Sequence, residues 1–271
     1  MEDVVKDLEE ALRGLDVTLV DYITFSGCGE PTLHPELGEM IEAVRRICPR
    51  VPIAILTNAS LFWLDEVVEA ACKADLVVAK LDAADSATFR TINRPAEGIT
   101  FELVLEGLKK ARETTKGRLA IQSMFLKAHG RPLNIGQLAL AKMAELLTDI
   151  RPDQVQVNTP TRPPAERYVE PLGPEELSAV AGFLASRLEG VEVISWRQPT
   201  IVPARPGAPS LRQAILGLLE RRPCRFHELC ASTGGDPMTV RVELDRLASE
   251  GVLTIRDYRG ERFYSLKKAP P

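Results

Sequence analysis

Five short segments of this 271-residue chain set hydroxyls, amides, carboxylates and glycines side by side, as the binding of a polar small molecule requires. In Ser26-Gly27-Cys28-Gly29-Glu30-Pro31-Thr32-Leu33 the two glycines let a ligand approach backbone N–H and C=O groups closely, and Glu30 adds a carboxylate. The others are Thr57-Asn58-Ala59-Ser60, Lys80-Leu81-Asp82-Ala83, Gln122-Ser123 and Asn158-Thr159-Pro160-Thr161-Arg162. All five stand within or just beyond a β-rich run. Ligands of parallel α/β architectures sit beyond the carboxyl ends of the strands, so these groups would converge on one mouth suited to ribose and amino-acid moieties. A structural role competes at each position: Glu30 at a helix N-terminus, Asn58 or Asp82 as caps, Asp82 paired with Lys80, Arg94 and Arg162 in salt bridges. His34, held before Pro35, reads as structural.

The elements that must position these groups follow from periodicity. Residues 1–14 carry an apolar helical face, Val4, Val5, Leu8, Ala11 and Leu12. Strands are expected at 17–25, 52–57, 76–81, 118–126 and 154–158, and the helices after them at 37–47, 64–73, 101–114, 135–150 and 174–188. Five strands each followed by a helix imply a parallel sheet with right-handed crossovers, either doubly wound or a barrel. Prolines 199, 203, 206 and 209 mark a linker. Beyond it the spacing predicts helices at 210–221, 225–231 and 236–250 and a hairpin of 251–255 with 262–265 turning through Asp257-Tyr258-Arg259-Gly260, which together make a winged helix.

Composition narrows the function classes. The chain is 45% hydrophobic and 27% charged, ordinary for a globular protein and unlike a disordered or collagenous one. Its net charge of −4 gives no whole-chain field for nucleic acid or anionic membranes. Residues 204–271 hold 12 Lys+Arg against 8 Asp+Glu, so this part is positive and the remainder negative. The apolar runs fall short of the roughly 20 residues of a membrane span, and the acidic start is unlike a signal peptide, which points to the cytoplasm. Five cysteines, Cys28, Cys48, Cys72, Cys224 and Cys230, form an odd, sparse set with no Cys-x-x-Cys pair. They fit reduced thiols rather than a disulfide framework, and no metal site is evident from their spacing.

A resemblance joins these observations. Tyr22-Ile23-Thr24-Phe25-Ser26-Gly27-Cys28-Gly29-Glu30-Pro31-Thr32-Leu33-His34-Pro35 resembles the "SGxGEPTLHP" segment of radical S-adenosylmethionine (radical SAM) proteins. Leu56-Thr57-Asn58 resembles their "TNG" strand end, and Lys80-Leu81-Asp82-Ala83 with Thr88-Phe89-Arg90 and Asn93-Arg94-Pro95 resembles their "SLDA…TF…NRP" stretch. Gln156-Val157-Asn158-Thr159-Pro160-Thr161-Arg162-Pro163-Pro164 resembles the branch near wybutosine-synthesis-like members, some of which carry a C-terminal winged helix.

The resemblance implies an α/β fold, a partial (β/α)6 barrel over 1–198 lacking its first strand, then a linker at 199–209 and a winged helix at 210–271. It implies S-adenosylmethionine and a 4Fe–4S cluster as cofactors. Gly27, Cys28, Gly29 and Glu30 would hold the methionine amino group, Thr57, Asn58 and Asp82 would face the ribose and carboxylate, and Gln122 and Asn158 would line the adenine or substrate side. In the family an electron from the cluster cleaves the sulfonium to a 5′-deoxyadenosyl radical, chemistry that belongs to the cofactors. The family holds its cluster with Cys-x3-Cys-x2-Cys after the first barrel strand, and these 271 residues contain no such motif. The expectation is a chain cut short upstream of Met1, inactive as it stands and an enzyme at full length, whose second strand would be an unpaired edge. A barrel remnant that senses SAM or a nucleotide and regulates DNA through the winged helix is the alternative. An ordinary lyase barrel would need a Schiff-base lysine, for which only Lys80 is placed. For the winged helix, Thr239, Arg241, Glu243, Arg246, Arg256, Arg259 and Arg262 are the candidate contacts, and interspersed acids favour protein or RNA docking over operator DNA.

Overall fold

Alternating apolar residues along short β-rich runs bury one face of each run, and a computed structural model shows where that face goes. It describes residues 2–13, 17–27, 29–195 and 210–267; Cys28 and the proline-rich segment at 199–209 lie outside the described residues. The chain divides into two compact units: 1–160 with 168–196, and 161–167 with 197–271.

The first unit is built on a six-stranded parallel sheet. Its strands are β1 (Ile23–Phe25), β2 (Ile53–Thr57), β3 (Leu76–Lys80), β4 (Arg118–Met124), β7 (Gln154–Asn158) and β9 (Glu192–Ser195), lying side by side in chain order. Helix α1 (Glu2–Leu12) precedes β1, and between the strands run α2 (Leu37–Ile47), α3 (Asp65–Ala71), α4 (Ser86–Asn93), α5 (Phe101–Thr114), α6 (Gln137–Ile150) and α7 (Pro174–Ala185). Strands in chain order, each crossover right-handed, place every helix on the same side of the sheet. A doubly wound sheet would reverse direction at a switch point, and this one does not. The residues confirm it: Ile53 and Ile55, Val77 and Ala79, Leu119 and Ile121, Val155 and Val157 all join one apolar core with the inward faces of the helices. On α2 that face is Leu37, Met40, Ile41 and Val44, the spacing of one helical stripe. Gly107 on α5 is required by close approach, since a Cβ there would stand 2.6 Å from the Phe62 backbone.

The alternate positions therefore lie on a face that no helix covers; of these, Thr24, Leu56, Lys80, Gln122, Gln156 and Asn158 are exposed or half-buried, while the small or branched Ala54, Val78 and Ala120 are buried. A small antiparallel sheet of β5 (Leu126–Ala128), β6 (Arg131–Pro132) and β8 (Val169–Pro171) also belongs to this unit.

Several expected boundaries move, for physical reasons. The strand expected at 17–25 shrinks to β1, preceded by a 3-10 turn at Val17–Leu19. Among the described residues β1 is an edge strand that pairs only with β2, and that pairing begins where Ile23 N–H donates to Pro52 C=O; Pro52 itself has no N–H to offer. The strand expected at 118–126 breaks at the fully buried Phe125, after which Leu126 N–H turns to Asn134 Oδ1 and the chain enters the small sheet. Helix α4 and strand β9 were not expected; α4 starts where Asp85 caps the N–H groups of Ala87 and Thr88.

The second unit has three helices, α8 (Leu211–Arg221), α9 (Phe226–Thr233) and α10 (Pro237–Ser249), and an antiparallel sheet of order β10 (Cys224–Arg225), β12 (Glu261–Leu266), β11 (Leu253–Tyr258). Its own core gathers Ile215, Leu219, Leu229, Val240, Leu244, Leu247 and Tyr264. Segment 161–167 groups with it: Arg225 donates to the Thr161 carbonyl at 2.7 Å and Arg162 pairs with Glu228 at 3.1 Å. No helix among the described residues is long and apolar enough to cross a membrane.

Candidate functional site

The carboxyl ends of β1 and β2 are joined by one carboxylate. Glu30 Oε1 accepts hydrogen bonds from Thr32 N (3.2 Å), Thr32 Oγ1 (2.7 Å) and Thr57 Oγ1 (2.6 Å), while Oε2 accepts from Asn58 N (2.7 Å). Glu30 thus caps the 3-10 turn Pro31–Leu33 and fixes the β2 end against its own loop. Thr57 is buried and also accepts from Ala59 N; Asn58 Oδ1 accepts from Ser60 N. Between them Ala59 has φ 60°, a left-handed conformation costing a non-glycine residue on the order of 1 kcal/mol, held by these flanking bonds. Gly27 and Gly29 flank Cys28, which lies outside the described residues; a Cβ at Gly29 would meet no atom within 4 Å, so this side of the loop is open.

A second cluster surrounds Asp82, only 2% exposed, at the end of β3. Its Oδ1 accepts from Met124 N (2.8 Å), its Oδ2 accepts from Asn93 Nδ2 (2.9 Å), and Lys80 Nζ stands 3.6 Å from Oδ2. Buried Asn134 donates Nδ2 to both the Asp82 and Met124 carbonyls, and Ser123 Oγ donates to the Leu81 carbonyl, so the ends of β3 and β4 are knitted together. Asn93 Oδ1 is buried and accepts no hydrogen bond. An acceptor left unmatched beside a carboxylate is an arrangement that a donor-rich ligand group, such as a diol, would complete.

Gln122 and Asn158 lie on the helix-free face. Gln122 bonds to Gln156 in a chain of amides, and Asn158 sits in register with Met124, adjoining the Asp82 cluster, while its carbonyl accepts from Phe125 N. Of the nine residues the sequence nominates, Glu30, Thr57 and Asn58 form one group, Asp82 and Asn158 meet around Met124, and Gln122 stands one pleat further in. Asn93, Asn134 and Gln156 were not nominated as site residues. Asn93 and Gln156 fall within the motif-like stretches, whereas Asn134 sits in a loop with no motif of its own and nothing in the sequence marks it.

The remaining candidates have structural partners. His34 Nδ1 accepts from Glu36 N, and Arg94 closes α4 in a left-handed conformation. Cys48, Cys72 and Cys224 are buried; desolvation pushes the thiols of Cys72 and Cys224 up to about 11, unfavourable for a thiolate ligand. Among the described residues no three His, Cys, Asp or Glu side chains are placed to hold a metal ion. A groove of about 620 Å³ lies between α4 and α5, lined by Ser86, Phe89, Arg90, Phe101 and Glu102, beside rather than at the strand ends. In the second unit Arg241 lies 4.1 Å over the Phe226 ring and donates to Tyr264 Oη, Arg246 pairs with Glu250, Arg262 with Asp257, and Glu243 with Arg212. Thr239 donates to its cap, Asp236.

A UPF0026 protein of Methanocaldococcus jannaschii is 29% identical over 97% of this chain and 79% of its own length. A UPF0026 protein of Synechocystis is 37% identical over 57% of this chain and 56% of its own. A domain of pyruvate-formate lyase-activating enzyme from Bacteroides vulgatus superposes with a TM-score of 0.48 at 20% identity, over 65% of this chain and 98% of that one. Residues 2–127, which carry the Glu30, Asn58 and Asp82 clusters, match the model of the radical SAM superfamily.

Proposed function

We propose that the carboxyl ends of β1, β2, β3, β4 and β7 bind S-adenosylmethionine, and that these five strands are those of a partial (β/α)6 barrel of the radical SAM type lacking its first strand, with β9 added at the far edge of the sheet. The observation that carries this reading is buried Asp82 at a strand end, accepting from Asn93 Nδ2, with the other atom of that amide, Asn93 Oδ1, left as an unmatched acceptor. In this reading the backbone of Gly27–Gly29 approaches the methionine moiety, Glu30 positions that loop and the Asn58 amide without itself touching ligand, and Asp82 with Asn93 receives ribose hydroxyls. When bound, S-adenosylmethionine supplies a cleavable sulfonium. The described cysteines do not fit a 4Fe–4S cluster: Cys48, Cys72 and Cys224 are buried, the last two in separate cores, and Cys230 is half-buried.

Calorimetric titration of the 271-residue chain with S-adenosylmethionine tests the reading. Binding that Asp82→Ala abolishes, with Asn93→Ala weakening it, is expected; no heat of binding to a folded wild-type chain refutes it.

For the second unit we propose a winged helix that docks a protein. Three of its candidate cations, Arg241, Arg246 and Arg262, are engaged by carboxylates or rings of the same unit, and α10 turns Met238 and Val242, one helical turn apart and 74% and 61% exposed, outward. A gel-shift titration with duplex DNA should show no retention at physiological salt; retention that falls steeply with salt would mean a phosphate-binding role instead.

A further inference from the structure

The groove of about 620 Å³ between α4 and α5 falls in the size range of small-molecule sites. Its apolar lining is formed by the Phe89 and Phe101 rings, centroids 5.9 Å apart and tilted by 49°, with Pro95 and Ile99 beside them. The loop that walls it is fixed by its own backbone. Arg94 leaves α4 at φ 45°, Pro95 holds the next φ, and Ile99 N–H donates to the Ala96 carbonyl at 3.1 Å across a turn whose third residue, Gly98, has φ 86°. Thr100 then caps α5 by accepting from Leu103 N. A left-handed arginine persists only where the structure around it dictates the conformation, so the groove is preformed. Its charges are unevenly engaged. Glu102 Oε1 accepts from Ser86 Oγ at 2.6 Å, tying α5 to the start of α4. Arg90, in the last turn of α4, and Glu97, in the turn, are exposed, and their side chains form no hydrogen bond or ion pair with each other or with any other described residue. Of the motif-like residues 88–95 the strand-end site employs Asn93, whereas Phe89, Arg90, Arg94 and Pro95 line this groove.

We propose that this groove binds a free aromatic amino acid, its carboxylate on Arg90, its ammonium on Glu97 and its ring against Phe89 and Phe101. Charge decides the class. A carboxylate alone would meet Arg90 but bring its charge into a groove that Glu97 and Glu102 also line, and an amine alone would meet Glu97 but face Arg90. A zwitterion matches both unengaged groups at once, through charge-assisted hydrogen bonds at each end. The tilted pair of rings offers a third ring the edge-to-face contacts that aromatic groups prefer, which sets the apolar body of the ligand. The inference is independent of the strand-end reading, since Glu30, Asn58, Asp82 and Asn93 do not line the groove.

The test is calorimetry on the 271-residue chain with L-phenylalanine, set against 3-phenylpropionate, which lacks the ammonium, phenethylamine, which lacks the carboxylate, and glycine, which lacks the ring. Phenylalanine should bind at one site per chain, and each of the other three roughly tenfold more weakly or not at all, the size of one lost charge-assisted contact or one unburied ring. Arg90→Gln should bring phenylalanine down to the level of phenethylamine, and Glu97→Gln should bring it down to the level of 3-phenylpropionate. Both side chains are exposed, so both variants should keep the wild-type melting temperature, which separates loss of the site from loss of the fold. No heat of binding with phenylalanine, 3-phenylpropionate or phenethylamine binding as tightly as phenylalanine, or an affinity that Arg90→Gln or Glu97→Gln leaves intact would each overturn the inference.

Discussion

Glu30→Gln should destabilise the first unit by about 2–3 kcal/mol. The carboxylate accepts four hydrogen bonds, three at Oε1 and one at Oε2. Glutamine can turn its oxygen to the three donors from Thr32 and Thr57, but its NH2 group then faces the Asn58 N–H, donor against donor. The lost bond to a charged acceptor is worth about 1.5 kcal/mol at the low end, appropriate because Asn58 is exposed and water takes its place. The three retained bonds pass from a charged to a neutral acceptor, weakening each by about 0.5 kcal/mol. These losses reach the upper end of the range, and the left-handed Ala59 also loses part of what holds it in place, which keeps the effect there. Urea unfolding followed by tryptophan fluorescence reads the first unit, which contains Trp63. Thr57→Val in the same experiment completes a double-mutant cycle, and the Glu30–Thr57 coupling should be about 1 kcal/mol. A loss under about 0.5 kcal/mol, or no coupling, would refute the view of Glu30 as the clasp between β1 and β2.

Three further outcomes follow from other parts of the structure. Gly107→Ala forces a Cβ to within 2.6 Å of the Phe62 backbone, which cannot swing aside as a side-chain tip would, and should lower stability by about 1–3 kcal/mol in the same urea assay. Asp85 is held below its ordinary value of 3.8 first by the Thr88 N–H, then by the Thr88 hydroxyl and the Ala87 N–H, with burial opposing. Its folded pKa lies below the unfolded one, so its contribution is complete at neutral pH and is lost as pH falls below about 4 toward the folded value; the stability gap between wild type and Asp85→Asn should be constant above pH 5 and close in acid. Cys72 and Cys224, with thiols pushed up to about 11 by burial, should resist iodoacetamide in the native chain at neutral pH and react once it is unfolded, as peptide mass mapping would show.

What the sequence discloses of this fold depends on whether a signal is local. Helix α2 and strand β7 carry their periodicities within their own eleven and five residues, and both were legible to the residue. Strand β1 was overextended because its length is decided by where its single neighbour begins, at Ile53 after a proline, which no window over 17–25 contains. Helix α4 had a visible cap in Asp85, but its eight residues present little apolar stripe, with Phe89 alone fully inward.

The same distinction governs the site. Polar residues at strand ends can be seen from the sequence; their assignment as ligand contacts or scaffold cannot, because partners such as Glu30 and Thr57 or Asp82 and Met124 lie 27 and 42 residues apart and meet only through parallel pairing. That pairing gives Glu30 four donors of its own chain, which brace its loop against the end of β2. It also brings in Asn134, whose amide bonds to β3, β4 and the start of β5 at once and which no motif announces. A carboxylate that already accepts four bonds gains little from a further donor, whereas an acceptor with none, Asn93 Oδ1, gains a full hydrogen bond. Ligand affinity at these strand ends should therefore respond more to Asn93 than to Glu30, and chain stability more to Glu30 than to Asn93.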